Sequence, residues 1–274
     1  MSDAPLRLLI LGAHPDDSEF HAGGLASLYR ELGHEVRMVS ATDGSAGHHL
    51  LGREELARVR KKEAASSAAV IGAVGETWEF PDGELQATLD LRHRVIAEIR
   101  RFRPDLVLTH RTNDYHPDHR AVGQAVQDAS FLVRVPLVVP EVPALDRDPV
   151  VAYMADMFTK PSPLDPHVVL DIGSRIDTIV RMLAQHASQV FEWLPFLDGT
   201  TADVPAGEAE RLAWLKEWYT GIIRPRADRC REALRRIYSI DRTDTIELVE
   251  MFEISEHGGT LTDSLKAKLF PWMT

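Results

Sequence analysis

The chain has 274 residues, of which 44% are hydrophobic and 27% are charged, and its formal net charge is −11. These values are typical of a globular protein with a well-buried core. The acidic balance and the lack of a long Lys/Arg cluster argue against a nucleic-acid-binding protein. No apolar window is long enough to predict a membrane span. The single cysteine, Cys230, favours a reducing compartment. The short polar segment Met1–Pro5 does not resemble a secretory signal. We therefore expect a cytoplasmic protein.

Predicted strands and helices alternate in the first half of the chain. The strands are predicted at Arg7–Ala13, Glu35–Ala41, Thr77–Phe80 and Asp105–His110. The helices are predicted at Ala22–Leu32, Arg53–Ile71, Leu89–Phe102 and His119–Phe131. This rhythm predicts an α/β fold with a mostly parallel sheet that is covered by helices on both faces.

The second half is less regular, and prolines recur between Pro136 and Pro166. We expect loops there that wall a substrate cleft. The elements predicted in this half are strands at Val150–Met154 and His167–Ile172, a helix at Ser174–Val190, a long helical stretch at Ala206–Ile237 interrupted near Gly221 and Pro225, and a strand at Thr245–Ile254. No internal repeat or low-complexity linker divides the chain. We therefore predict one domain over residues 1–274, with a core at 6–190 and a C-terminal extension at 191–274.

Two loops rich in His and Asp follow two of the predicted strands. Gly12–Glu19 comes directly after the first strand, and Asn113–His119 comes after the fourth. Charge beside a core strand is costly unless something compensates it, and a metal ion is the simplest compensator. In the usual doubly wound strand order the first and fourth strands are neighbours where the order reverses, which is where such sheets bind ligands. The two loops are therefore predicted to face each other.

A dinucleotide site is the obvious rival for such a fold. It would need G-x-G-x-x-G after the first strand. The turn here places Asp16 and Asp17 at the helix entrance instead, where they would repel a pyrophosphate, so we exclude nicotinamide chemistry. His14 and Asp17 are spaced to turn to one side, and a histidine of the second loop would complete a three-ligand catalytic zinc site. Asp16 would then be free to accept a proton from water. The alternative for the two aspartates is capping of the next helix.

The two loops resemble motifs of a known family. Ala13-His14-Pro15-Asp16-Asp17-Ser18-Glu19 is similar to the A-H-P-D-D-x-E motif of the PIG-L (LmbE-like) zinc deacetylases, and His116-Pro117-Asp118-His119 is similar to their H-P-D-H motif. The resemblance is strong over residues 6–135. It implies a Rossmann-like three-layer α/β/α fold, a bound Zn²⁺ ion and hydrolysis of N-acyl groups, often N-acetyl groups on glucosamine-containing compounds.

The resemblance also implies a role for each motif residue. The implied zinc ligands are His14, Asp17 and His119. Asp16 is implied to be the general base, His116 to stabilise the oxyanion and protonate the leaving amine, and Asp118 to orient His116. A carboxylate beside His116 would help that imidazole to stay protonated near a metal. Glu19 is interpreted as a residue that supports the loop or the start of the helix.

Two residues outside the motifs are predicted to bind substrate. Arg60 matches an arginine that often contacts substrate in the family, and its alternative is a solvated helix face. Asp43 lies where many members carry Gly-Glu. His110 is expected to be structural and Cys230 to lie on a helix face. The sequence leaves the roles of His48, His49, His186 and His257 open.

The sequence thus predicts a zinc-dependent hydrolase that removes an N-acyl group, in the first place N-acetyl, from a sugar-containing or related small amide. Two alternatives stay open: a hydratase or lyase that acts on an oxo-acid at the same metal, and a non-catalytic binding protein. The acyl group, the amine and the identity of the native metal are not legible in the sequence. Because the family ranges from monomers to hexamers, a homo-oligomer is compatible with the resemblance.

Overall fold

The computed structural model describes residues 4–273, with the backbone alone at residues 240 and 241. The strands are β1 (Arg7–Gly12), β2 (Glu35–Thr42), β3 (Val74–Phe80), β4 (Leu106–Thr109), β5 (Val150–Tyr153), β6 (Val168–Asp171) and β7 (Val249–Ile254). The α-helices are α1 (Asp17–Glu31), α2 (Arg53–Val70), α3 (Leu89–Phe102), α4 (Pro117–Leu132), α5 (Ile176–Leu183), α6 (Leu194–Asp198), α7 (Glu208–Arg229), α8 (Arg231–Ile237), α9 (Ile240–Thr243) and α10 (Asp263–Leu269). A π-helix occupies Ser188–Trp193.

The strands form one sheet in the order β3-β2-β1-β4-β5-β7-β6. β1 pairs in parallel with both β2 and β4, and β7 runs antiparallel to β5 and β6. The strand order therefore reverses between β1 and β4, as predicted. The loops after these two strands leave the sheet side by side at its carboxyl edge.

The helices cover both faces of the sheet, because the strands are apolar on both sides. Leu8 and Ile10 of β1 pack into a core with α1, α2, α5 and α7, whereas Leu9 and Leu11 pack into a second core with α3 and α4. All four leucine and isoleucine side chains are fully buried. A parallel sheet with both faces covered gives this continuous apolar pattern. The predicted Rossmann-like three-layer α/β/α class is confirmed.

Helix α1 is broken at Ala22, whose backbone is not helical (φ −147°, ψ 15°). The break leaves backbone N–H groups without helical partners, and the carboxylate of Glu250 on β7 accepts from the N–H groups of Gly24 and Leu25 at 2.6 and 2.8 Å. A Cβ on Gly24 would lie 2.5 Å from Ile172 Cγ2, so only glycine fits this close approach. The predicted helix start at Ala22 is therefore only the second half of α1, which begins at Asp17.

The C-terminal half departs from the prediction in three places. The helix predicted over Ser174–Val190 is α5 followed by the π-helix. The predicted interruption near Gly221 and Pro225 is wrong, because α7 continues through both residues to Arg229. Burial of one face of α7, at Leu215, Tyr219 and Ile223, outweighs the lost proline hydrogen bond. Cys230, predicted on a helix face, is instead the cap residue between α7 and α8 and is buried, 1% exposed.

Among the described residues, no helix combines the length and the apolar character needed to cross a membrane. The single-domain organisation, the cytoplasmic location and the oligomeric state stay predictions.

Candidate metal centre and active site

The three predicted zinc ligands converge at the carboxyl edge of the sheet, between β1 and β4. His14 Nδ1 lies 3.2 Å from His119 Nε2, and His119 Nε2 lies 3.4 Å from Asp17 Oδ1. His14 Nδ1 lies 3.7 Å from Asp17 Oδ2. Ligand atoms on a tetrahedral zinc ion with bonds of about 2.0–2.1 Å are about 3.3 Å apart. The His14–His119 and His119–Asp17 spacings therefore fit such an ion, and the other carboxylate oxygen of Asp17 lies within 3.7 Å of His14.

The Asp17 carboxylate is held in place by the turn that precedes it. Its Oδ2 accepts hydrogen bonds from the backbone N–H groups of Ala13 and His14 at 2.8 and 2.7 Å. A Cβ on Gly12 would lie 2.7 Å from Asp17 Cβ, so glycine is needed at the end of β1. These contacts leave Asp17 Oδ1 directed to the second loop. Neither Asp16 nor Asp17 caps α1 through its side chain, which removes the capping alternative.

Each histidine of the triangle has a carboxylate on its other ring nitrogen. His14 Nε2 lies 3.2 Å from both Asp118 Oδ2 and Asp82 Oδ1. His119 Nδ1 lies 3.0 Å from Asp114 Oδ1, a close ion-pair contact without the alignment of a hydrogen bond. Carboxylates placed in this way fix the tautomer and orientation of histidines that bind metals.

The same carboxylates make the centre favourable for a positive charge. Burial works against protonation of His14, but Asp118 and Asp82 raise its pKa to about 10. Burial likewise opposes and Asp17 favours protonation of His119, whose pKa is raised to about 9. A divalent cation would meet this demand.

His110, expected to be structural, also belongs to the centre. It is 2% exposed, its Nε2 lies 3.0 Å from Asp17 Oδ2, and its ring stacks on His119 with centroids 3.8 Å apart. It therefore supports the ligands from the core side.

Asp16, the predicted general base, lies beside the triangle in a strained backbone conformation with φ 124°. Few residues other than glycine adopt such angles, and they cluster at functional sites. Burial raises the pKa of Asp16 to about 6, while the neighbouring Arg60 opposes the rise. A carboxylate of this kind is suited to accept a proton near neutral pH.

Arg60 does not lie on a solvated helix face, since it is only 2% exposed. Its guanidinium lies 2.9 Å from Asp16 Oδ2 and also donates to the carbonyl of Pro15. Its second nitrogen pairs with Glu63 at 3.3 Å. Arg60 lines the cavity, but its contacts are those of a residue that positions Asp16.

Arg60 also connects the site to the buried pair formed by Glu19 and His186. His186 Nε2 lies 3.1 Å from Glu19 Oε1, and its Nδ1 lies 3.5 Å from Arg60. Ser67 donates to the same oxygen of Glu19. His186 is fully buried, so its place is behind the active site rather than in the cleft.

His116 lies at the wall of the cavity with its ring 4.4 Å from that of His14. Its Nδ1 accepts a hydrogen bond from the backbone N–H of Asp118 at 3.2 Å. The proton of the neutral ring is therefore assigned to Nε2, where it can be donated. Burial, followed by His14 and His119, lowers the pKa of His116.

The predicted pairing of the Asp118 side chain with His116 is not what the structure contains. The fully buried Asp118 carboxylate accepts from the N–H groups of Gly83 and Leu85 at 2.7 and 3.1 Å and contacts His14. Asp118 lies in the first turn of α4, where its side chain is buried and its backbone N–H is the group that reaches His116.

Asp43, the second predicted substrate-binding residue, is not among the residues that line the cavity. Its Oδ1 accepts from the N–H groups of Ser45 and Asp82 at 3.0 and 3.2 Å. It therefore braces the loop after β2 against the turn that carries Asp82. In the same loop, His48 lies 2.9 Å from Glu192 and His49 stacks on Phe196 at 3.9 Å.

Asp82 and Asp114 were missed as members of the centre. Both follow a strand of the same sheet, β3 and β4 respectively, so the rule that carboxyl ends of parallel strands meet at one edge would have found them.

The cluster opens into a cavity of about 670 Å³. Its lining includes the polar groups described above. It also includes many apolar side chains, among them Phe20, Met157, Phe158, Trp193, Leu197, Trp218 and Ile222. The loop after β5 contributes two of them, in agreement with the prediction that the proline-rich region walls a cleft. A cavity of this size can take a small organic molecule.

Together these features are those of an α/β enzyme with a candidate metal centre. Residues 9–130 match the family model PIG-L, described as GlcNAc-PI de-N-acetylase, and this range holds both motifs. This part of the chain is therefore similar to the PIG-L family.

Two proteins of similar sequence and one solved structure resemble this chain. The chain is 28% identical over 224 residues to a probable N-acetyl-alpha-D-glucosaminyl L-malate deacetylase 2 of Bacillus cereus, a match that covers 76% of this chain and 94% of the relative. It is 26% identical over 153 residues to a 4-oxalmesaconate hydratase of Pseudomonas putida, covering 53% of this chain and 59% of that protein. The solved structure of the N,N'-diacetylchitobiose deacetylase of Pyrococcus horikoshii superimposes with a TM-score of 0.70 at 20% identity, covering 91% of this chain and 83% of that one, and supports the fold.

Proposed function

We propose that this protein is a metal-dependent amide hydrolase that removes an N-acetyl group from a glucosamine-containing small molecule, with Zn²⁺ as the metal. The observation that carries the proposal is the triangle of His14, Asp17 and His119 with a strained carboxylate, Asp16, beside it. The match to the Bacillus cereus deacetylase covers 94% of that protein and 76% of this chain, and it supports the choice of reaction.

The residues present fit a zinc ion by the chemistry of the donor set, by the separations of the donor atoms and by the carboxylates behind both histidines. When bound, such an ion supplies Lewis-acid polarisation of the acyl carbonyl and a lowered pKa for water. His14, Asp17 and His119 would hold it.

The chain's own groups then divide the proton transfers and the charge stabilisation. Asp16, fixed by Arg60, accepts a proton from the attacking water. His116 Nε2–H donates to the oxygen of the acyl carbonyl as negative charge develops on it. The proton held by Asp16 leaves with the departing amine, so the base of the first step is the acid of the second.

The test is amine release from N-acetylglucosamine conjugates by the zinc-loaded protein. We expect turnover that is lost on chelation and restored by zinc. A zinc-loaded protein that binds metal at these residues and releases no amine from such conjugates would refute the proposal.

One comparison favours a second candidate, hydration of an oxo-acid at the same centre, since the Pseudomonas putida relative is named a hydratase. That match covers little more than half of either chain. A hydratase would change the absorbance of an unsaturated oxo-acid and release no acetate, so parallel assays of the two substrate classes distinguish the candidates.

A further inference from the structure

A second arginine, Arg226 of α7, also lines the cavity. It lies on one stripe of the helix with Trp218 and Ile222, at a spacing of four residues, and both of these also line the cavity. Ile222 is 48% exposed, whereas Arg226 is 7% exposed and lies at the inner end of the stripe. Arg226 is therefore buried in protein, and the residue borders the space that a ligand would occupy.

Arg226 makes few contacts for a buried cation. One nitrogen donates to the carbonyl of Phe20 at 3.2 Å, and another lies 3.4 Å from His21 Nδ1. A guanidinium has more N–H groups than these two contacts use. Each terminal nitrogen has a second N–H that these contacts do not use, and Arg226 is one of the residues that line the cavity.

No described carboxylate forms an ion pair with Arg226 within 4.0 Å. Glu250, the carboxylate that acts electrostatically on Arg226, has both oxygens engaged by the backbone of α1. Burial lowers the pKa of Arg226, with Tyr219 and Glu250 opposing, but an arginine keeps its charge under such conditions. A buried charge without a counter-ion is costly.

The other buried arginines of the chain are compensated in ways that Arg226 is not. Arg100, 2% exposed, donates to six backbone carbonyls around the end of α4. Arg60 and Arg111 pair with the carboxylates of Asp16 and Asp156. Of these four arginines, Arg226 alone lacks both a described carboxylate and a full set of carbonyls.

A purely structural role for Arg226 would be to satisfy the Phe20 carbonyl at the break in α1. That carbonyl already accepts a hydrogen bond from the hydroxyl of Tyr219, at 3.3 Å. The backbone therefore has a neutral donor, and its need does not explain a charge at this point.

We infer that Arg226 is a specificity residue that binds an anionic group of the substrate, a carboxylate or a phosphate, in the cavity next to the metal centre. The apolar neighbours Trp218 and Ile222 strengthen the pairing by excluding water. A planar guanidinium matches the two oxygens of such a group. The inference rests on the proposed hydrolase function and narrows its substrates to glucosamine conjugates that carry an acid.

The experiment compares three N-acetylglucosaminides that differ in one substituent: the methyl glycoside, the carboxymethyl glycoside and the 1-phosphate. Amine release is measured for wild type, Arg226→Met, Arg226→Lys and Tyr219→Phe. Calorimetry then measures binding of the same three compounds to zinc-loaded Asp16→Asn and to Asp16→Asn/Arg226→Met.

We expect wild type to favour one acidic glycoside over the methyl glycoside in kcat/KM by about tenfold to a hundredfold, the range for a hydrogen bond to a charged group. Arg226→Met should abolish most of this preference, and Arg226→Lys, which keeps the charge without the fork, should keep part of it. Tyr219→Phe, the matched loss of the other donor to Phe20, should keep the full preference. Which acid is favoured distinguishes a carboxylate from a phosphate.

Equal rates for neutral and acidic glycosides, or a preference that survives in Arg226→Met, would overturn the inference and leave the proposed hydrolase intact. Binding of an acidic glycoside that depends on Arg226, with no amine release from any compound, would support the anion site and reject the hydrolase. If Arg226→Met does not fold, the test rests on Arg226→Lys. A reduced preference in Arg226→Lys supports the inference, and an unchanged preference contradicts it.

Discussion

His14 and Asp118 are 104 residues apart in the chain, and Nε2 of the first lies 3.2 Å from Oδ2 of the second. The contact joins the two motif loops behind the candidate metal position. Since a carboxylate there fixes the ring of a metal-binding histidine, Asp118→Asn should weaken zinc binding by about tenfold to a hundredfold. The measurement is the zinc dissociation constant by competition with a chromogenic chelator.

Asp114→Asn is the matched variant on the other histidine, because Asp114 faces His119 Nδ1. It should weaken zinc binding to a similar extent. If Asp118→Asn bound zinc like wild type and lost only turnover, Asp118 would act through His116, as the motif resemblance implied.

Asp16→Asn should keep zinc and lower kcat by about a hundredfold or more, because the amide cannot accept the proton of water. Asp17→Ala is the paired variant and should lose the metal, since it removes one of the three candidate ligands. Metal content and turnover are measured on the same preparations. Full turnover by Asp16→Asn would show that another group is the base.

Arg60→Met tests whether Arg60 positions Asp16 or binds substrate. The guanidinium lies 2.9 Å from Asp16 Oδ2, so its loss should free the carboxylate and lower kcat by roughly a hundredfold, with little change in KM. Arg60→Lys should recover part of the rate, since it keeps the charge. A large rise in KM at unchanged kcat would instead support the substrate-binding role that the sequence predicted.

The sequence predicted the fold through β4 and α4 closely, because apolar strands and amphipathic helices alternate there and each pattern is decided locally. It also brought His14, Asp17 and His119 together, because the strand order of such sheets is nearly fixed. It could not predict that α7 continues through Pro225, since burial of Tyr219 and Ile223 against other helices decides that point.

The direction in which a side chain points was the second feature that the sequence could not predict. The spacing of His116 and Asp118 suggested a pair, but which way an aspartate turns depends on the N–H groups it meets, here those of Gly83 and Leu85 from a distant turn. Arg226 carried no signal at all in the sequence. Arg226 stands out because it has no described counter-ion, and only the folded structure reveals this.

Glu250 should make the stability of the fold depend on pH away from the metal centre. Burial raises its pKa from the ordinary 4.5 to about 7, although the N–H groups of Gly24 and Leu25 oppose the rise. Between these two values the unfolded chain releases a proton that the folded chain retains. The free energy of unfolding should therefore fall as pH rises from about 4.5 to about 7, by about 3 kcal/mol in total, and then level off.

Glu250→Gln keeps an acceptor for the break in α1 but cannot ionise. Its free energy of unfolding should lack this fall, so that wild type loses stability relative to the variant as pH rises. Urea unfolding of both proteins without metal, between about pH 5 and about pH 8, measures the difference. Glu217→Gln, a change at an exposed glutamate of α7, serves as the control and should follow wild type. Parallel curves for wild type and Glu250→Gln would show that Glu250 ionises at its ordinary pKa in the folded protein.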